Sequence, residues 1–160
     1  MIELTELRAI VDAAQTVRVA SHDDEGLFVV PMSFGYEVEE GADGAEPHWT
    51  FWLHCAAEGR KVDAWTADPQ VALEIDVEGG VISGDYSCAY SYAFASVMAS
   101  GRAARVTDAG EKVRGLSAIM AHMAPDAPVK FATEATERVD VWRVDVDRLT
   151  GKRREGMRLG

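Results

Sequence analysis

An antiparallel β-barrel, closed or split, with two or three flanking helices is the fold class this sequence predicts. Three observations lead there. Six or seven stretches alternate apolar and polar residues with a period of two, as half-buried strands do. Hairpin and loop signals separate most of these stretches. No regular alternation of strand with long helix appears, so the chain lacks the rhythm of a parallel sheet. At 160 residues, one domain spanning 1–160 is expected, long enough to bury a core without disulfides.

The elements follow in order. Residues 4–14 form an amphipathic helix with Leu7, Ile10, Val11 and Ala14 on one side. Residues 16–21 and 27–38 read as two strands around the turn His22-Asp23-Asp24-Glu25-Gly26. Pro31 makes the second strand locally an edge, a bulge or a place of free backbone. With Ser33, Phe34 and Gly35 beside it, that edge suits either a docked flat ring or a plain kink. Residues 39–47 are an acidic loop, and 69–77 alternate as a half-exposed strand. Gly79-Gly80 and Ser83-Gly84-Asp85 mark a further loop.

Residues 89–101 carry Tyr90, Tyr92, Phe94 and Met98 on one face and Ala93, Ala95, Val97 and Ala99 on the other. The nearly bare face admits close approach by another sheet or an aromatic ligand, and ordinary core packing produces the same pattern. Ser96 and Ser100 bring hydroxyls to the bulky side. Asp108 with Glu111 forms a capping box opening a helix whose face is Val113, Leu116, Met120 and Met123. His122 on that helix has no partner pattern. The last strand, 138–146, changes phase between Val141 and Trp142, which calls for a bulge or burial on both faces.

Residues 49–65, WTFWLHCAAEGRKVDAW, are the most informative stretch. Trp49, Phe51, Leu53 and Cys55 share one strand face, Thr50, Trp52 and His54 the other, and a helix with Val62 and Trp65 inward follows. Arg60 and Lys61 fall in that helix's first turn, where unpaired N–H groups already form a positive pole. Two cations there are unfavourable unless an anion binds, so a strand bringing a histidine to a Gly-Arg-Lys turn suits a phosphate-bearing ligand. A solvated Arg-Lys pair on an exposed turn fits equally well.

The net charge of −11 is uneven. Residues 148–160 carry five basic side chains against Glu155 alone, a net +4 that leaves −15 on the rest. An acidic body opposes general nucleic-acid binding, while the basic tail serves a small anion or simply frays in solvent. Cys55 and Cys88 form no disulfide framework, the N-terminus is unlike a signal peptide, and no run is long and apolar enough to span a bilayer. A cytoplasmic protein with no membrane role is expected. No P-loop, dinucleotide-binding fingerprint, zinc-protease motif, metal-ligand spacing or hydrolase nucleophile elbow is present, and Ser21-His22-Asp23 are sequence neighbours rather than a triad.

VVPMSFGY, FWLHCAAEGRK, SYAFASVMASGRA and LTGKRR, in that order and across residues 7–155, resemble the nitroimidazole-resistance branch of the pyridoxamine 5′-phosphate oxidase-like flavoproteins. The His-Cys-Ala-x-x-Gly-Arg-Lys run is the most specific piece. The resemblance implies a six-stranded split β-barrel and a homodimer with FMN at its interface. It implies that Arg60 and Lys61 hold the FMN phosphate and that Met32, Ser33 and Phe34 lie along the isoalloxazine ring. Ser96 would sit near the ring's polar edge, with Lys152 and Arg153 reaching the cofactor from the other subunit. His54 is similar to the histidine beside the flavin and is the candidate for substrate contact and catalysis. No metal site is implied.

The chain lacks the longer C-terminal segment of true pyridoxamine phosphate oxidases, which argues against vitamin B6 oxidation. The expected activity is FMN-dependent reduction of small aromatic acceptors such as nitroimidazoles, with the flavin relaying hydride or two electrons. A flavin- or haem-binding module without turnover is the alternative, with His54 a conceivable axial ligand. A barrel without ligand, serving as an interaction domain, is the third.

Overall fold

The computed structural model describes residues 2–154 and 156–159. Met1, Glu155 and Gly160 lie outside the described residues, so the tail's one acidic residue has no structural account. The protein is mainly antiparallel β-sheet with flanking helices. Its strands are β1 (Val17–Asp23), β2 (Gly26–Met32), β3 (Gly35–Glu39), β4 (His48–Cys55), β5 (Gln70–Ile82), β6 (Ser91–Arg105) and β7 (Asp140–Arg153). The helices are α1 (Leu4–Ala13), α2 (Arg60–Ala67), α3 (Ala109–Met123) and α4 (Thr133–Arg138).

All seven strands form one sheet in the order β2-β1-β5-β6-β7-β4-β3. This corrects the expected six-stranded barrel: the described residues form seven strands in an open sheet, with no ladder among them between β2 and β3 at its two ends. The seventh strand comes from 27–38, which is not continuous but divides at Ser33 and Phe34. Two residues span only about 10 Å between the strands they join. The sheet therefore has to curl until its edges approach, and the division point lies on that seam. Pro31, with no N–H to donate, sits in β2, an edge strand whose sole partner is β1.

Inside the curl lies a core that includes Val17, Val19, Phe34, Phe51, Leu53, Trp65, Leu73, Ile75 and Trp142. The small-residue face of β6 belongs to it: Ala93, Ala95, Val97 and Ala99 are all buried. The bare face is thus packed internally, while the bulky face carries the exposed residues, Tyr92 (45 %) and Met98 (59 %). Gly79 and Gly80 do not end β5. They sit in a bulge between Glu78 and Gly80, and Gly80 adopts φ +94°, a conformation glycine takes without strain.

Asp108 caps α3 as expected, its carboxylate accepting from the Glu111 N–H at 2.8 Å. The buried face of α3 is nevertheless Gly115 and Ile119, and Val113 and Met123 are exposed. Glycine scores nothing in a hydrophobic stripe, yet it lets the helix approach closely. A Cβ on Gly115 would come within 2.6 Å of the Trp52 ring, and one on Gly35 within 2.3 Å of the Ala118 carbonyl carbon. Trp52, Val106, Ile119 and Val141 form a second cluster in this contact, so β4 is covered on both faces. His122 donates from Nε2–H to the Ala14 carbonyl at 2.7 Å and packs its ring on Phe34, tying α3 to the end of α1.

The phase change between Val141 and Trp142 reflects burial on both faces; the bulge in this strand lies further on. Val141 and Trp142 are buried on opposite faces, and a bulge opposite Ser100 and Gly101 leaves Asp147 without a partner. β7 continues to Arg153 and Met157 is buried, so most of the basic tail is anchored rather than frayed.

Candidate functional site

The end of β4 and the start of α2 are held in place by three successive residues of β1. Ser21, buried, accepts from the Trp65 indole N–H at 2.8 Å. His22 Nε2 lies 3.1 Å from Asp68 Oδ2 at the C-terminal end of α2. Asp23 takes Arg60 at the N-terminal end: Nε–H donates to Oδ2 at 2.7 Å and Nη2–H to Oδ1 at 2.9 Å. The Ser-His-Asp neighbours are therefore not a triad; each holds a different point along α2. Trp65 also packs edge-on against Trp142, which seats the helix on the core.

Gly59 is the N-cap of α2 at φ +142°, and no side chain caps the helix. The space where a Cβ would stand at Gly59 is open. Among the described residues, no side chain takes up the first-turn N–H groups beside Arg60 and Lys61. Lys61 is half-buried and has no ion pair among the described residues. Its charge also reaches Cys55, where burial pushes the thiol up and Lys61 opposes that shift. Arg60, in contrast, is already paired. Besides Asp23 it has Glu25 at 3.6 Å, and its guanidinium covers the Phe28 ring at 4.2 Å. The anion expected at this turn has a protein stand-in, the Asp23 carboxylate, which Arg60 holds below the usual carboxylate range.

His54 is exposed, yet enough protein surrounds its ring that desolvation lowers its pKa below the ordinary histidine value. At neutral pH it is a neutral imidazole with one donor and one acceptor nitrogen. β3 and β4 pair with Gly35 opposite Trp52. That ladder ends at Gly35, two residues short of Ser33, which lies exposed between β2 and β3. Met32 is half-buried against the core. Phe34, expected along the ring, is instead fully buried, backbone included, against Phe51 and His122, because it fills the core where the chain crosses from β2 to β3.

The other expected residues lie elsewhere in the sheet. Ser96 pairs with Lys152 across β6 and β7, and the Lys152 ammonium lies 5.8 Å from the centre of the Phe94 ring. Arg153 is salt-bridged to Glu6 on α1 of its own chain. His54 pairs with Val141, eleven residues before Lys152 on β7, roughly 35 Å along the strand. One chain thus places His54, Arg60 and Lys61 at the junction of β4 and α2, and Ser96, Lys152 and Arg153 at the far end of β7. Sequence reasoning missed Asp23, Glu25 and Phe28 beside Arg60. The hairpin turn was legible, but no local signal joins it to a helix 37 residues on.

An open glycine at an uncapped helix start, two adjacent cations and an exposed neutral histidine fit a phosphate-bearing aromatic cofactor. Among the described residues, no group of three or more His, Cys, Asp or Glu side chains could hold a metal ion, and no helix is long and apolar enough to cross a membrane.

The family model for pyridoxamine 5′-phosphate oxidase matches residues 3–153, and the chain belongs to that family. Among solved structures it is similar to a Bacteroides thetaiotaomicron protein provisionally assigned to 5-nitroimidazole antibiotic resistance. The identity is 28 %, over 94 % of this chain and 84 % of that one, with a TM-score of 0.75. A flavocytochrome from Azotobacter vinelandii shares the fold at 19 % identity, covering 98 % and 69 % of the two chains, TM-score 0.76. So does a FAD- and haem-binding protein from Mycobacterium smegmatis at 15 % identity, covering 98 % and 73 %, TM-score 0.78. No curated protein matches the chain.

Proposed function

We propose that the protein is an FMN-dependent reductase of small aromatic acceptors, nitroimidazoles included, acting as a homodimer. The observation that carries this reading is the open, uncapped Gly59-Arg60-Lys61 turn next to the exposed His54. The likeness to the protein provisionally assigned to 5-nitroimidazole antibiotic resistance supports the acceptor class. When bound, the flavin supplies the redox chemistry. Arg60 and Lys61 would hold its phosphate, Ser33 and Met32 would border its ring, and His54 would face the acceptor. A neutral imidazole there acts at pH 7 as a hydrogen-bond donor, and as a general acid only as pH falls.

The second reading, a flavin- or haem-binding module without turnover, draws on the same histidine, because a neutral exposed imidazole is also the form that ligates haem iron. The absorbance spectrum of the purified protein separates them. Flavin bands released as FMN support the first reading, a Soret band supports the second, and a spectrum with neither overturns both.

The separation of Ser96, Lys152 and Arg153 from His54 along β7 supports a site completed by a second chain. So does the apolar outer face, with Leu27 88 % and Val29 60 % exposed. Val29 and Met98 line a groove of about 470 Å³ there, together with Arg18, Ser100 and Arg148. An obligate interface of roughly 2,000 Å² or more is expected. A monomer by light scattering at micromolar concentration with cofactor bound would contradict it.

His54→Ala is expected to leave flavin content nearly intact while acceptor reduction falls on the order of a hundredfold. Unchanged turnover would reduce the histidine to a structural role, and loss of cofactor would make it a ligand.

A further inference from the structure

The side chain best placed to grip a phosphate at the α2 start is already gripped by a carboxylate. Asp23 uses both oxygens on Arg60, the same two-point arrangement a phosphate monoester adopts on arginine. We propose that Asp23 is a competing ligand for Arg60 that sets the affinity for phosphate-bearing ligands. The inference rests on assigning the Gly59–Lys61 turn to the FMN phosphate.

Four features make Asp23 a competitor rather than a support. Its charge has the same sign as the ligand's, and Glu25, Asp24 and Asp63 line the same cleft, so the surroundings repel an incoming dianion. Asp23 cannot easily withdraw, because its Oδ1 also accepts from the Glu25 N–H at 3.0 Å and is fixed by the hairpin turn. Arg60 has to be the moving part, and its long, exposed side chain allows that. Lys61 has no ion pair among the described residues, so it offers a first anchor before Arg60 is released. Without phosphate the pair neutralises a cation at a positive helix pole; with phosphate the more highly charged anion takes the arginine.

Asn at position 23 removes the charge but keeps the side-chain carbonyl that accepts from the Glu25 N–H, so the turn is preserved. The experiment titrates FMN and riboflavin by flavin fluorescence quenching against wild type, Asp23→Asn, Asp23→Glu, Arg60→Ala and the Asp23→Asn/Arg60→Ala pair. Asp23→Asn is expected to bind FMN about three- to tenfold more tightly, with riboflavin within about twofold of wild type. Asp23→Glu, which keeps the charge, should stay within about twofold for both ligands, and most of the gain should vanish without Arg60. FMN affinity that is unchanged, or selectively weakened, in Asp23→Asn overturns the inference; weakening would mean that the carboxylate orients Arg60 for the ligand. A gain that persists undiminished in the Arg60→Ala background also overturns it, because the effect then bypasses the arginine. If wild type binds riboflavin as tightly as FMN, the phosphate assignment itself fails, a result distinct from failure of the competition.

Discussion

Gly35→Ala is expected to destabilise the protein by about 3 kcal/mol or more, at the upper end of what overpacking costs. The added Cβ would lie 2.3 Å from the Ala118 carbonyl carbon, 2.4 Å from the Ile119 nitrogen and 2.5 Å from the Ala118 oxygen. All three are backbone atoms of α3, so no rotamer change relieves the contact. Either β3 or α3 has to move, and moving α3 opens the cluster of Trp52, Val106, Ile119 and Val141. It also strains the His122 bond to Ala14. For a chain of this length, about 3 kcal/mol corresponds to a fall of roughly 6–12 °C in melting temperature. Thermal or urea unfolding followed by tryptophan fluorescence reads it. A midpoint within a degree of wild type would show that α3 does not rest on β3 as described.

The second large effect is on cofactor affinity. FMN and riboflavin share the ring and ribityl chain and differ in the phosphate. Charge-assisted hydrogen bonds from Arg60 contribute about 1.5–3 kcal/mol each, and about 1.4 kcal/mol is tenfold in affinity. Arg60→Ala is therefore expected to weaken FMN by roughly one to two decades and riboflavin hardly at all. The structure adds two opposing corrections. Pairing with Asp23 and Glu25 already consumes part of the arginine's interaction, which lowers the loss. Removing Arg60 leaves those carboxylates unpaired beside the phosphate, which raises it. The salt dependence of FMN binding should also fall, since one cation no longer exchanges bulk anions. Fluorescence titration of both ligands separates phosphate recognition from damage to the fold. If riboflavin weakens as much as FMN, the turn is structural and the phosphate lies elsewhere.

What the sequence by itself determined about this protein is what neighbours within a few residues decide. The Asp108–Glu111 cap, the reversal at Asp24 and Glu25 before Gly26, the strand from Trp49 and the helix start at Gly59-Arg60 all rest on local hydrogen bonds, local φ preferences and period-two burial. They were legible for that reason, and with them the turn where the proposed phosphate site stands. Only the tertiary structure decided which face each element turns to the others. Residues 27–38 read as one strand, yet they divide between the two ends of the sheet, because closing the curl outweighs continuing the strand. The alanine face of β6 faces inward, where the tight curl leaves room for small side chains and none for Tyr92 or Met98. α3 packs through glycine, which carries no hydrophobic signal but permits the closest approach. The partner of Arg60 lies 37 residues away on a hairpin, and that distance is bridged only because Trp65 and Ser21 dock α2 on β1. Such contacts depend on chain segments meeting in space, and their chemistry leaves no mark at either position read alone.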